Sequence, residues 1–317
     1  MPSSSARSGR ECCGVADIIN VGLFAAGLRL AVPVLLAALG GLFTDRVGIF
    51  NVALEAMMLT GAFAGVAFDY WTGSAWIGVA GAVLGGFAVA AVFALFAMKM
   101  KADPIMTGIA LNLLIGGLTV VLMQVVFDTR GLFQSSKIAL LPQVDLGSPT
   151  GGGWRPGLVR MLTGNNALFY AAFVAAPLLH CLFYYTRAGL RIRAVGEYKV
   201  AAEAVGVNPA AYQIASILAS GVFAGLAGAW MSLSSLGMFS ENMTAGRGFI
   251  ALAAIFFGRS TPAGILLASM FFGLAEAMAI RLQGLGAPSQ IVLMIPYAAT
   301  VASLALTAVD WRRKKAA

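Results

Sequence analysis

The sequence predicts an all-α polytopic membrane protein. Of its 317 residues, 60% are hydrophobic and only 11% are charged, where a soluble domain carries about a quarter charged residues. Mean hydropathy is +0.87. Several apolar runs reach the roughly 20 residues that a helix needs to cross a bilayer, and the alternating pattern of a membrane barrel is nowhere visible. The runs fit about nine transmembrane helices, within a range of roughly eight to ten. One segment reads as broken or re-entrant, and one polar loop has helical character.

Residues 1–15 lack the layout of a cleaved signal peptide and read as a tail. Residues 16–308 form one transmembrane domain, followed by a basic tail over 309–317. The first span is expected over 17–43, with Arg29 and Pro33 inside it and a turn over 44–46. The second, 48–68, is unusual: Asn51 and Glu55 sit one turn apart on one face, after a glycine-led start that resembles a broken helix. A third span covers 74–98, a compact basic loop 99–104, and a fourth span 105–127, with Asn112 and Gln124 within it. Residues 128–166, rich in Gly, Pro and Ser, read as a loop. The fifth span is 167–185 and the sixth 214–236. The apolar stretch 249–258 is too short to cross alone, and 263–280 with 291–308 complete the set.

Between the fifth and sixth spans lies 187–213, a long polar interruption. It opens with Arg187, Arg191 and Arg193, then reads as a short amphipathic helix from Glu197 to Val205. Gly206 is placed to end that helix, and Asn208-Pro209 to start the next. A structured, charged helix between two spans is a surface to show a soluble partner.

Charge placement sets the orientation. The net charge is +8, but no basic run is interleaved with aromatics as a nucleic-acid surface requires. The basic residues gather at span ends, as the positive-inside bias dictates. Loop 187–213 and the tail Arg312, Arg313, Lys314 and Lys315 are therefore inside, and Lys99 and Lys101 with them. Residues 128–166, Glu241 and Asn242 fall outside, as does the N-terminus. Arg259 is inside if 245–258 crosses or re-enters.

No phosphate-binding loop, HExxH, paired CxxC or GxSxG motif occurs. Three cysteines give neither a disulfide framework nor metal-ligand spacing. No catalytic residue, metal or resident cofactor is expected. The informative residues are the polar ones within or beside spans: Asn51, Glu55, Asn112, Glu241, Asn242, Glu276 and Gln290, candidates for a pathway or a gate. A charge at mid-bilayer costs about 2.5–3.5 kcal/mol on insertion scales, so it faces a cavity or a partner. Glu55 reads either as half of a structural or gating pair with Arg29, or as a substrate contact. Asn112 and Gln290 fit a polar solute or interhelical bonding equally well. The glycine pairs Gly61/Gly65, Gly81/Gly85 and Gly221/Gly225 read as close-packing faces.

Three ordered stretches carry a resemblance: GIFNVALEAMM from Gly48, RAVGE from Arg193 with AAEAVG from Ala201, and SENMTAGRGFIALAA from Ser240 followed by Phe257, Gly258 and Arg259. The chain resembles the permease family of bacterial ABC importers from Leu28 to Leu306, in the branch of ribose, branched-chain amino acid and nucleoside permeases. The run from Ser240 is most similar to nucleoside or simple-sugar members. The resemblance implies an inner-membrane permease for nucleosides that works with a second homologous permease. It also implies a cytoplasmic ATPase that binds ATP and an extracytoplasmic substrate-binding protein. It further implies that Arg193, Glu197, Glu203 and Gly206 couple to the ATPase, with Tyr198-Lys199 standing where many relatives have Asn-Pro. The alternatives are a ribose-like sugar permease, a proton-coupled carrier using Glu55 and Glu276, or a membrane-embedded enzyme, for which no catalytic constellation exists.

Overall fold

The computed structural model describes residues 21–144, 164–234 and 237–284. The expected N-terminal tail, residues 145–163 of the 128–166 loop, Gln290, the span over 291–308 and the basic tail lie outside the described residues. The helices are α1 (Val21–Arg46), α2 (Leu54–Thr72), α3 (Ala75–Ala94), α4 (Pro104–Phe127), α5 (Ala167–Tyr185), α6 (Arg187–Glu197), α7 (Lys199–Ala204), α8 (Pro209–Leu233), α9 (Arg247–Phe257) and α10 (Pro262–Gly284). A π-helical turn, Leu95–Lys99, extends α3. Two small antiparallel pairs join β1 (Leu132–Gln134) to β4 (Met238–Ser240), and β2 (Gln143–Val144) to β3 (Asn165–Asn166). Six of these helices are long and apolar enough to cross a membrane: α1, α4, α5, α8, α10, and α3 with its π turn.

Glycines build the centre. Helices α2, α3 and α8 pack closely enough that a Cβ at Gly61 would stand 2.7 Å from the Gly225 Cα, and one at Gly86 2.8 Å from the same atom. All three glycine pairs read from the sequence lie on these contacts. Where lipid removes the hydrophobic drive between helices, such close approach supplies dispersion contact instead. Helix α1 packs against α8 and α10, and α4 and α5 flank this core.

The loops sort into two ends. Arg46, the α6–α7 unit and Ser260 share one end, where an Arg46 Nη2 donates to the Ser260 carbonyl and to the Tyr184 hydroxyl. Lys99 and Ala210 line one cavity wall there. The β pairs, the start of α1 and the 241–246 turn share the other end, where Glu241 bonds Gly131. The residues expected inside thus share one end, the inner, and those expected outside share the other, the outer. Residues 238–260 run from one end to the other, so this segment crosses with only the 11 residues of α9 helical.

Several expected boundaries move. The 44–46 turn belongs to α1, because Thr44 Oγ1 stays bonded to the Gly41 carbonyl inside an unbroken helix. The sixth span begins at Pro209, five residues early, because the Asn208 side chain accepts from the Ala211 amide and Pro209 sits in the first turn. Helix α4 starts the same way: Asp103 accepts from Ile105 and Met106 at 2.9 and 3.0 Å ahead of Pro104.

Candidate functional site

Helix α1 ends at Arg46 and α2 begins at Leu54, leaving 47–53 without a helical ladder. Inside a membrane protein such backbone persists only where neighbours satisfy its polar groups. Here the side chains of two helices do so. Gln213 Nε2 on α8 donates to the Val47 carbonyl at 3.3 Å. Asn51 Nδ2 donates to Ser220 Oγ, also on α8, at 3.1 Å, and its Oδ1 accepts from the Ala53 amide at 3.0 Å. Gln213 and Ser220 are two turns apart, so the unwound segment climbs about 10 Å along α8.

Asn112 on α4 clasps the far end of the break. Its Nδ2 donates to the Val52 carbonyl and its Oδ1 accepts from the Ala56 amide, both at 3.0 Å. Ala56 lies in the first turn of α2, where amides have no helical acceptor. Gly108, one turn earlier, permits the approach, since a Cβ there would stand 3.0 Å from the Ala53 nitrogen. Asn112→Leu strands one buried donor and one acceptor, each worth about 1–3 kcal/mol. A marked fall in thermal midpoint in detergent is therefore expected. An unchanged midpoint with altered substrate preference would instead place Asn112 in the solute path.

Glu55, buried near the start of α2, reaches across to α9. Its Oε1 accepts from the Gly246 amide at 2.9 Å and its Oε2 from the Gly248 amide at 2.6 Å. The residue at the head of α9 is Gly246, at φ 81°, which has no side chain to cap with. Glu55 supplies that cap in trans, setting a negative charge against the positive end of the helix dipole. Gly248 makes room, because a Cβ there would lie 2.6 Å from the Glu55 nitrogen.

The expected Glu55–Arg29 pair is not formed. Two amides hold both carboxylate oxygens, while Arg29 Nε donates to Asn165 Oδ1 at 2.7 Å near the outer end. Glu276 on α10 pairs with Arg247 Nη2 at 2.5 Å. Glu241 Oε1 accepts from the Gly131 amide at 2.8 Å, tying the outer turn to β1. Asn242 is an exposed turn residue at φ 53°. The structure thus brings Asn51, Glu55 and Asn112 together around the break and leaves Glu241, Asn242 and Glu276 apart from it. A cavity of about 220 Å³ lies between Arg29, Trp230, Met238, Met243 and Arg247, and none of the three break residues lines it.

At the inner end, Thr186 caps α6 by accepting from the Gly189 amide at 3.2 Å. The short helix expected from Glu197 to Val205 is divided. Tyr198, extended at φ −154°, separates α6 from α7, so Glu197 ends one helix and Glu203 lies on the next. The reason is local: Tyr198 caps the end of α6 through the Ala194 carbonyl and opens α7. Gly206 adopts φ +80°. Its amide bonds the Glu203 carbonyl at 2.9 Å and the Val207 amide bonds the Ala202 carbonyl at 3.0 Å, the paired closure of a Schellman cap. Arg193 faces inward, its guanidinium 4.9 Å from the centre of the Tyr184 ring. Apolar side chains face the other way: Leu190 is 61% exposed, Tyr198 and Val200 64%, and Val205 77%.

Gln213 and Ser220 were not singled out from the sequence, although with Ser216 they fall at i, i+3 and i+7. Three polar residues on one stripe of an apolar helix are the signal that would have found them.

These features belong to a membrane permease. Residues 23–304 match the family model described as the branched-chain amino acid transport system / permease component, and the chain belongs to this family. It is 34% identical to the nucleoside ABC transporter permease protein NupC of Lactococcus lactis subsp. cremoris, over 88% of this chain and 90% of that one. It is 31% identical to the guanosine ABC transporter permease protein NupQ of Bacillus subtilis, over 92% of each. TsgC13 of Haloferax volcanii, a permease protein ascribed to a glucose ABC transporter, is 34% identical over 83% of this chain and 78% of that one. A solved ABC transporter in an inward-facing conformation shares the fold, with TM-score 0.52 and 18% identity over 88% of this chain and 84% of that one.

Proposed function

We propose that this chain is the translocating subunit of an ATP-driven importer of nucleosides in the bacterial inner membrane. One observation carries the substrate: relatives named for nucleoside and for guanosine transport align with it over about nine-tenths of each chain. The glucose-ascribed relative keeps a sugar as the second reading. The coupling reading rests on the α6–α7 unit. It is braced against the membrane domain on one face and exposes Leu190, Tyr198, Val200 and Val205 on the other. Apolar side chains grouped on an aqueous face mark a protein contact, and a cytoplasmic ATPase is the partner proposed for it. Glu203 and Gly206 then set the shape of that seat. A second permease completes the pathway, and an extracytoplasmic binding protein delivers the solute.

In this scheme ATP is hydrolysed by the partner, and this chain's residues position a gate. The unwound segment, Glu55 and α9 form one hydrogen-bonded unit that moves as a body between inward- and outward-facing states. Uptake of radiolabelled guanosine into cells or vesicles holding the full complex tests the proposal. Unlabelled nucleosides should compete better than free ribose or glucose, and uptake should persist when the proton gradient is collapsed at constant ATP. Better competition by sugars would install the second reading, and loss with an uncoupler would point to a proton-coupled carrier.

A further inference from the structure

Gly189 and Gly196 lie seven residues apart, on one face of α6. A Cβ at Gly189 would fall 2.5 Å from the Phe183 Cα, so α6 rests flush on the last turn of α5. A Cβ at Gly196 would overlap the Arg46 carbonyl oxygen and stand 2.9 Å from its carbon and 3.3 Å from the Val47 Cα. The end of α6 therefore sits backbone to backbone on the point where α1 stops and the unwound segment starts. Gly48, at φ 75°, turns the chain there, and a Cβ on it would lie 3.6 Å from the Gly196 carbonyl oxygen.

A second set of contacts braces the same joint. Arg193 stacks on Tyr184, and the Tyr184 hydroxyl accepts from Arg46 Nη2 at 3.2 Å. The same Arg46 nitrogen donates to the Ser260 carbonyl, between α9 and α10. Helix α6 is thus joined to both ends of the gate unit. Gly196 meets the foot of the unwound segment, and Arg46 meets the chain leaving α9, whose head Glu55 caps.

We infer that α6 drives the gate directly at the Gly196–Arg46 contact, and that Gly196 is a positioning residue for coupling. Displacement of α6 by the ATPase pushes on residues 46–47 rather than travelling only through the covalent ends of the loop at Thr186 and Asn208. The segment carries the displacement to Asn51 and Glu55, and Glu55 carries it to α9. Tight packing of backbone on backbone leaves no soft side chain to absorb the movement. This inference rests on the reading of α6–α7 as the ATPase seat.

The test uses the assembled complex, with ATPase and binding protein, in proteoliposomes. Gly196→Ala must part α6 from Arg46. The ATPase is expected to co-purify at wild-type stoichiometry, while guanosine moved per ATP hydrolysed falls at least tenfold. Wild-type transport per ATP in Gly196→Ala overturns the inference. Hydrogen exchange on the wild-type complex gives a second measurement, independent of whether the variant folds. Amides of residues 47–53 should change their exchange rate several-fold between nucleotide-free and ATP-bound states, and equal rates overturn the inference as well. Val205→Asp, on the opposite face, separates the two levels of the argument. Retention of the ATPase by Val205→Asp refutes the seat itself. Its release, with Gly196→Ala transporting normally, refutes only the direct contact.

Discussion

Glu55→Leu should leave a chain that inserts but holds α9 poorly, with uptake near background and a strongly lowered thermal midpoint. The substitution removes both acceptors from the Gly246 and Gly248 amides. The buried Gly248 amide left without a partner costs about 1–3 kcal/mol and the half-buried Gly246 amide less, and the lost charge at the helix head adds up to about 2 kcal/mol. Against a total stability of about 5–15 kcal/mol this is a large share. Glu55→Gln is the sharper variant. It is isosteric and keeps one acceptor, but it sets an NH₂ donor against an amide donor. It should therefore fall between wild type and leucine in both midpoint and uptake. A glutamine variant that matches wild type in both would show that the cap contributes nothing. A leucine variant of normal stability that no longer transports would move Glu55 from the gate to the solute path.

Gly206→Val should abolish uptake while leaving membrane insertion intact. The position is open, with no atom within 4 Å of an added Cβ, so volume is not the obstacle. The obstacle is φ +80°. A β-branched residue in that region costs about 1–3 kcal/mol and abandons the two closing hydrogen bonds of the cap. The end of α7 then reorganises, and Val205, the most exposed of the four apolar side chains, loses its place. Gly206→Asn provides the control, because asparagine tolerates the left-handed region. It should recover a substantial part of uptake. If Gly206→Val and Glu203→Lys both transport with a normally coupled ATPase, the α7 unit is not the seat.

Much of this was legible in the residues. The fifth span begins and ends where composition placed it, at Ala167 and Tyr185, because apolar length and flanking polarity are local properties. Gly206 was legible for the same reason: the cap is made within six residues. The break after Gly48 was also visible, but its partners were not. Glu55 finds its donors 191 and 193 residues away, and no periodicity in one sequence encodes a pairing across that distance. Arg29 was a plausible counter-charge by charge alone, yet backbone amides outcompeted it. The split at Tyr198 was hidden because a run such as KVAAEA reads as helical on either side of a single extended residue. The role of Gly196 was likewise hidden, since a glycine inside a helix looks like a weakness until the atom it touches is known.

The glycine-lined contact among α2, α3 and α8 constrains how such a machine can work. Helices that touch backbone to backbone cannot slide past one another without lifting apart, and within a lipid-enclosed core there is little to fill the gap. Shear inside that trio is therefore closed off as a mode of motion. The three helices therefore move as one block, and Glu55 at the head of α2 moves with them. Relative displacement is confined to the boundaries of that block: the unwound segment, α9, whose head Glu55 caps, and the helices packed around them. Enlarging any glycine of the trio should jam assembly, whereas enlarging a glycine at the rim should uncouple a machine that still assembles.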